Sequence, residues 1–501
     1  MFEYLIDGLA TAVSFAVLPV LVFGVLGGVI LGALPGLTAT MGVAILLPFT
    51  FGMEPTSALV MLIGVYIGGI YGGSIAAILL KTPGTPASAA SVLDGHTMAV
   101  RGQAARALSI SAVASFIGGL LSTIVLIAIA PKLATFALRF NAPEYFALAL
   151  FGLTIIASVS SNNIFKGLLA GTIGLLVSTV GLDPISSVPR FTFDIMDLYS
   201  GINVIPVLIG LFALSEALNQ LEKLFSEKKV VAPKFDHKLL SKGDLKEMLP
   251  TAIKSGLMGT TIGSVPGAGA DISAFVCYNE AKRSSKNPEE FGKGSVRGLA
   301  AAESGNNGVT GGSLVPLLTL GVPGDAVAAV LLGALIVQGL TPGPLLFAQN
   351  PEVVYGVFSS MLVANLVMLV IGLLGIRFFC RIIEVPKIIM IPIIVFLSIV
   401  GAYAINNSMF DVGIAIGFGL LGFILTKLDI PSSPILLAII LGPMAETNLR
   451  KSLLMYDGSW SFLYERPIAL AFIVLAIFSV YSTLKMKKKQ KQKRKQTEEH
   501  P

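Results

Sequence analysis

Two cysteines and three histidines in 501 residues leave little for covalent or metal chemistry. Cys277 and Cys380 stand too far apart in sequence for a disulfide framework or the paired-cysteine spacing of a zinc site. His96, His237 and His500 are scattered. No CxxC, HExxH, GxSxG or Walker lysine motif occurs, so the usual signatures of a protease or an ATPase are missing. An intramembrane enzyme would need a nucleophile with its base, or a metal cluster, and the histidines supply neither; no enzyme is expected. Charge is scarce too, at 13% of residues, where soluble domains carry roughly 25%.

What fills the chain instead is apolar. It is 54% hydrophobic, with a mean hydropathy of +0.83. Runs such as 109–130 and 468–484 approach or reach the roughly 20 residues that cross a bilayer. The expectation is an all-α polytopic membrane protein. The first seven residues carry Glu3 and Asp7 where a signal peptide carries lysine or arginine, so no cleavage is expected. The basic tail at 485–495 places the C-terminus in the cytoplasm by the positive-inside rule. It reads as an anchor on anionic membrane lipid, with no nucleic acid involved.

Glycine (53) and proline (27) interrupt the apolar runs. The apolar stretch 9–34 stops at Pro35-Gly36. The run 57–80 stops at Pro83-Gly84-Thr85-Pro86, beside Lys81. A weaker run at 253–265 stops at Pro266-Gly267, and Pro323-Gly324-Asp325 forms a fourth break. Proline removes a donor and clashes with the preceding turn, and such backbone survives at membrane depth only inside protein or beside a wet cavity. Gly32-Ala33-Leu34-Pro35-Gly36 matches Gly263-Ser264-Val265-Pro266-Gly267. Gly72-Gly73-Ser74 before Pro83-Gly84 is set against Gly311-Gly312-Ser313 before Pro323-Gly324. The order agrees, which predicts two structural repeats. A basic loop follows the Pro83 break but precedes the Pro323 break, which favours inversion over a parallel repeat. The broken or re-entrant helices then meet near the bilayer midplane. The predicted division is a first transmembrane half at 1–221, a basic cytoplasmic linker at 222–247, a second half at 248–484 and the cytoplasmic tail at 485–501. Short runs such as 435–441 read as tilted or re-entrant pieces.

Several of these stretches carry a family resemblance: Gly32-Ala33-Leu34-Pro35-Gly36-Leu37-Thr38, Tyr71 to Leu79, Pro83-Gly84-Thr85-Pro86, Leu93-Asp94-Gly95, Glu303-Ser304 with Asn306-Asn307, and Gly339 with Pro342-Gly343-Pro344. Together they resemble the large membrane subunit of the tripartite tricarboxylate transporters, the TctA family. The resemblance implies a multi-pass subunit in the bacterial inner membrane that imports di- or tricarboxylates. It implies coupling to a cation, Na+ or H+, and no cofactor. It also implies two partners, a small membrane subunit and a periplasmic solute-binding protein. A stand-alone carboxylate carrier is the alternative. Alternating access, possible in elevator form, is the expected mechanism, and a homodimer built on the scaffold is compatible with it. The chain departs from the family pattern at Lys81, Gly305, Gly308 and Asp325.

A carboxylate leaving water needs donors to replace its hydration. The residues expected to bind it line the breaks: Gly36, Thr38, Thr40, Lys81, Pro83, Gly84, Thr85, Ser88, Gly267, Ala268, Gly269, Asn306, Asn307, Pro323, Gly324 and Asp325. Helix N-termini restarting after the breaks present unpaired N–H groups to anions. Lys81 reads either as a substrate contact or as a snorkelling anchor. A cation needs oxygens, and Asp271, Glu303, Ser304, Asn306 and Asp325 are the expected ligands. Glu303 holds a cation or a proton, or pairs with Arg297. Asn306-Asn307 can also serve only as a cap.

Overall fold

The structure is a computed structural model that describes residues 2–34, 36–159, 164–223, 239–266, 269–382, 387–478 and 481. Pro35, Gly267, Ala268, most of the linker with His237, the 485–501 tail with His500, and the end of the 468–484 run lie outside the described residues. What is described is helical, apart from turns, loops and one two-residue antiparallel pair that sets Gly181 opposite Arg190. Among the described residues, six helices are long and apolar enough to cross a membrane: Pro55–Leu80, Ala104–Ala137, Val204–Glu222, Pro351–Leu374, Ile388–Asn406 and Met409–Lys427. This agrees with an all-α polytopic membrane protein.

Three apolar runs differ from their sequence reading. The stretch 9–34 is split into Phe2–Ala12 and Leu18–Ala33. Ser14 accepts from the Val17 N–H, and Pro19 sits in the first turn of the second piece, where its missing donor costs nothing. The short run 435–441 is the front of a 23-residue helix, Ser433–Met455. Glu446 and Arg450 in its later turns hide it from a hydropathy reading. The weak run 253–265 is the back of Lys242–Gly263.

The chain packs as two compact units. Their boundary does not follow the 222–247 linker. Met1–Leu138 with Leu208–Phe423 forms the first unit, so all four breaks fall within it. We label its helices α1 (Leu18–Ala33), α2 (Ala39–Leu46), α3 (Pro55–Leu80), α4 (Ala104–Ala137), α5 (Lys242–Gly263), α6 (Gly269–Ser284), α7 (Val296–Leu320), α8 (Ala326–Val337) and α9 (Pro351–Leu374).

Local chemistry sets the helix starts. The Glu54 carboxylate accepts from the Thr56 and Ser57 N–H groups at 3.1 and 3.2 Å and opens α3, with Pro55 at its first position. Ser241 and Asp244 form a reciprocal capping box at α5. Arg106 hydrogen-bonds both Asp244 oxygens, and that contact, first among its causes, brings the Asp244 carboxyl down to about 2.

Glycine sets the packing. In lipid no hydrophobic force drives helices together, so small residues that let backbones approach take over. A Cβ on Gly28 would overlap the Val65 carbonyl, and one on Gly72 the Val29 carbonyl, which locks α1 against α3. Gly259 faces Gly305, and Gly312 faces Thr260, which locks α5 against α7 in the same manner. The longer helices then cross over. α4 lies along α7, with Gly118 against Ser304 and Gly311 against Ser122. α9 lies along α3, with Gly372 against Tyr71. α3 is apolar on all sides because it is buried from Ala58 to Leu79.

The second unit comprises the described parts of Arg139–Val207 and Ile424–Pro501. It contains Ala142–Val159, Ile164–Ser178 and Ser433–Met455. Asp183 joins Arg190 (3.4 Å) and Arg450 (2.7 Å), and Arg190 also pairs with Glu446 (2.7 Å). N–H groups of Ser186 and Ile185, followed by Arg450, hold the Asp183 carboxyl well below its ordinary range. Trp460 and Tyr464 are exposed, as expected of residues at a membrane interface.

Candidate functional site

The Pro83 and Pro323 breaks are built alike. α3 ends at Lys81 in the left-handed region (φ 58°), and α7 ends at Gly321 in the same region (φ 71°). Glycine suits that conformation and lysine is strained there. Lys81 has an exposed side chain. Then come Pro83 and Pro323, followed by Gly84 and Gly324. A Cβ on Gly84 would strike the Gly32 carbonyl, and one on Gly324 the Gly263 carbonyl. Thr85 and Asp325 take the next place and begin the following turn.

Aligning these breaks pairs Gly72 with Gly312 and Gly73 with Ser313. That register is one residue away from the sequence match. The sequence match rests on Gly-Gly-Ser composition, whereas matching the carbonyls met by Gly72 (Val29) and Gly312 (Thr260) shifts it by one residue.

The chain restarts differently after each break. After Pro323 it forms α8, packed on α2 and α3. After Pro83 it starts as a 3-10 turn, Pro86–Ala90, packed on α3, α6 and α7, and runs on through Val92–His96 into a short α-helical turn at Thr97–Val100. Ser88 explains the tight turn: its hydroxyl donates to the Thr85 carbonyl (2.7 Å) and accepts from the Thr85 N–H (3.3 Å). Asp325 uses both carboxylate oxygens. One caps α8 through the Ala328 N–H (2.7 Å), and the other accepts from Tyr66 (2.6 Å), which also contacts Ser313 (2.9 Å). Thr85 has no such partner, and its hydroxyl is buried and unpaired.

The other expected residues fall as follows. Gly36 has φ +90°, and Thr38 caps α2 by accepting from the Met41 N–H (3.2 Å), with Thr40 buried behind it. Gly269 (φ +67°) opens α6, where Asp271 is exposed in the first turn. Ser304 donates to the Ala252 carbonyl (2.6 Å), a helix–helix bond between α7 and α5. Asn306 is fully buried, and neither amide atom has a partner. Gly305 and Gly308, two departures from the family pattern, sit against Cys277 and the Gly256 backbone, where a methyl would not fit.

Glu303 does not pair with Arg297, which reaches Glu247 instead (3.5 Å). Glu303 is fully buried on α7. It accepts from Ser91 at one oxygen and from Ser115 at the other (3.1 Å). Ser115 in turn accepts from Asn307 (2.9 Å). The sequence reading missed Ser91, Ser111 and Ser115. Hydroxyls four residues apart inside the apolar α4 were the available signal.

It also missed the role of Asp94. One Asp94 oxygen accepts from the N–H groups of Gly292, Gly294 and Ser295, each at 2.8 Å, and the other from Tyr278 (2.9 Å). The segment after the first break is thereby tied to the start of α7.

A profile described as the tripartite tricarboxylate transporter TctA family matches residues 18–437. An uncharacterised 52.8 kDa protein in the TAR-I ttuC' 3' region of Agrobacterium vitis is 37% identical over 484 residues, covering 96% of each chain. An uncharacterised protein in the TAR-II ttuC' 3' region of the same organism is 36% identical over 226 residues, covering 45% of this chain and 93% of its own. No solved structure matches the chain.

Proposed function

The chain belongs to the tripartite tricarboxylate transporter TctA family, and we propose that it imports di- or tricarboxylates by alternating access between two inverted repeats. In this reading it is a multi-pass subunit of the bacterial inner membrane with a cytoplasmic C-terminus. A periplasmic binding protein delivers the substrate, a small membrane subunit completes the assembly, and a cation gradient drives uptake.

The observation that carries the reading is the matched construction of the two breaks inside one packed unit. Each has a left-handed cap, a Pro-Gly pair seated on the carbonyl of a preceding glycine, and a restart packed on the opposite half. The substrate site is placed at the breaks, with Thr85, Asn306 and Lys81 as its polar contacts. The first two are buried polar groups without partners, and a buried unpaired group is costly unless a ligand or water meets it. An elevator-type movement of the unit bearing the breaks is the proposed form.

The test is uptake of labelled di- and tricarboxylates by cells that lack their own carriers and express the chain with its partner subunits. Uptake of at least one is expected. Lys81→Gly keeps the left-handed cap and removes the cation, so it lowers uptake without lowering expression. Absence of uptake across the series contradicts the function. Full uptake by Lys81→Gly makes Lys81 an anchor only.

A further inference from the structure

We propose that a sodium-sized cation binds at Glu303, in a cage of oxygens from α3, α4, α7 and the segment after the first break. The proposal rests on the cation-coupled reading above and gives its ion a seat.

The Glu303 carboxylate has no solvent exposure, and among the described residues no lysine or arginine pairs with it. A desolvated carboxylate without a counter-charge is strongly unfavourable, so it is either neutralised or joined by a cation. The surroundings distinguish these outcomes. Ser91 and Ser115 donate to the carboxylate, and the buried Ser74 and Ser111 hydroxyls lie beside it with no other partner. Asn307 spends its amide hydrogens on Ser115 and on the Glu303 carbonyl, leaving its oxygen unpaired. Two hydroxyls beside the carboxylate, and the oxygen of an amide bonded to its Ser115 donor, therefore have no other partner.

A proton on Glu303 adds one donor and pairs at most one of them. A buried water pairs two or more but leaves the charge uncompensated. A hard cation takes several oxygens at once and cancels the charge. It would join the carboxylate, the Ser74 and Ser111 hydroxyls, the Asn307 oxygen and the lone pairs of Ser91, whose hydrogen stays on the carboxylate. Ser91 belongs to the segment after the first break, so occupancy of the cage would fasten that segment to α7. This gives the ion a mechanical link to the break.

The test uses the purified full chain in detergent, with radioactive sodium binding and thermal unfolding in sodium, potassium and choline salts. Wild type is expected to bind sodium saturably and to unfold at a higher temperature in sodium alone. Glu303→Gln is expected to lose both effects. Ser74→Ala and Ser111→Ala are each expected to weaken binding about tenfold, the effect of one lost ligand contact. A folded Glu303→Gln with wild-type sodium affinity overturns the proposal. If that variant does not fold, unchanged affinity in both serine variants overturns it. So does wild type that takes up protons but binds no sodium. Transport separates this from the function proposed above. Uptake that ignores sodium, with binding lost in the variants, removes the coupling and leaves the site. Sodium-driven uptake, with wild-type affinity in the variants, removes the site and leaves the coupling.

Discussion

Asp94→Ala is expected to remove about 3–5 kcal/mol of stability, the order expected when several buried donors lose their acceptor at once. The carboxylate is 1% exposed, and it collects three backbone N–H groups and one phenol. Alanine leaves those donors buried and unpaired, and each costs about 1–3 kcal/mol. It also removes a negative charge from the N-terminal end of α7, where the helix dipole favours one. Asp94→Asn keeps one carbonyl oxygen facing the three N–H groups and is expected to recover part of the loss. Thermal unfolding and folded yield of the two variants measure this. An unchanged midpoint for Asp94→Ala would show that the tie between the first break and α7 is not needed.

The second large effect is steric. Gly72→Leu and Gly312→Leu are each expected to abolish folded protein. Each glycine meets a backbone carbonyl of the neighbouring helix, Val29 for Gly72 and Thr260 for Gly312, so no side chain can turn aside. Overpacking a core commonly costs about 1–3 kcal/mol, and parting two helices along a glycine seam exceeds that. The informative comparison is the alanine pair, Gly72→Ala and Gly312→Ala. If the two places are equivalent, both variants lose stability to a similar degree. A large loss in one and none in the other would argue against the repeat. Folded yield by size-exclusion chromatography, with unfolding midpoints for the alanine variants, decides it.

Much of the architecture was legible because lipid imposes long apolar runs and because proline breaks them visibly. The run 57–80 became α3, and the Pro83 and Pro323 breaks stand where the sequence put them. The division at 222–247 was drawn on charge, yet the compact units follow packing and keep both pairs of breaks together. Ser433–Met455 was under-read because its charged turns are engaged with Asp183 and Arg190, pairings that no local window contains. The same limit applies at the site. Glu303, Asn306 and Asn307 stood out as polar residues in an apolar chain. Ser91 and Ser115 did not, because a serine in a span is ordinary until a carboxylate from another helix meets it. Asp325 attracted notice as an acid beside a break, but its bond to Tyr66 is a tertiary contact.

The measurement that bears most directly on the account is uptake of labelled carboxylate into vesicles reconstituted with the chain, the small membrane subunit and the loaded binding protein, under an imposed sodium gradient. Accumulation above the outside concentration, requiring all three components and abolished when the gradient is removed, is the predicted result. Uptake by this chain alone, or mere equilibration regardless of the gradient, would contradict it.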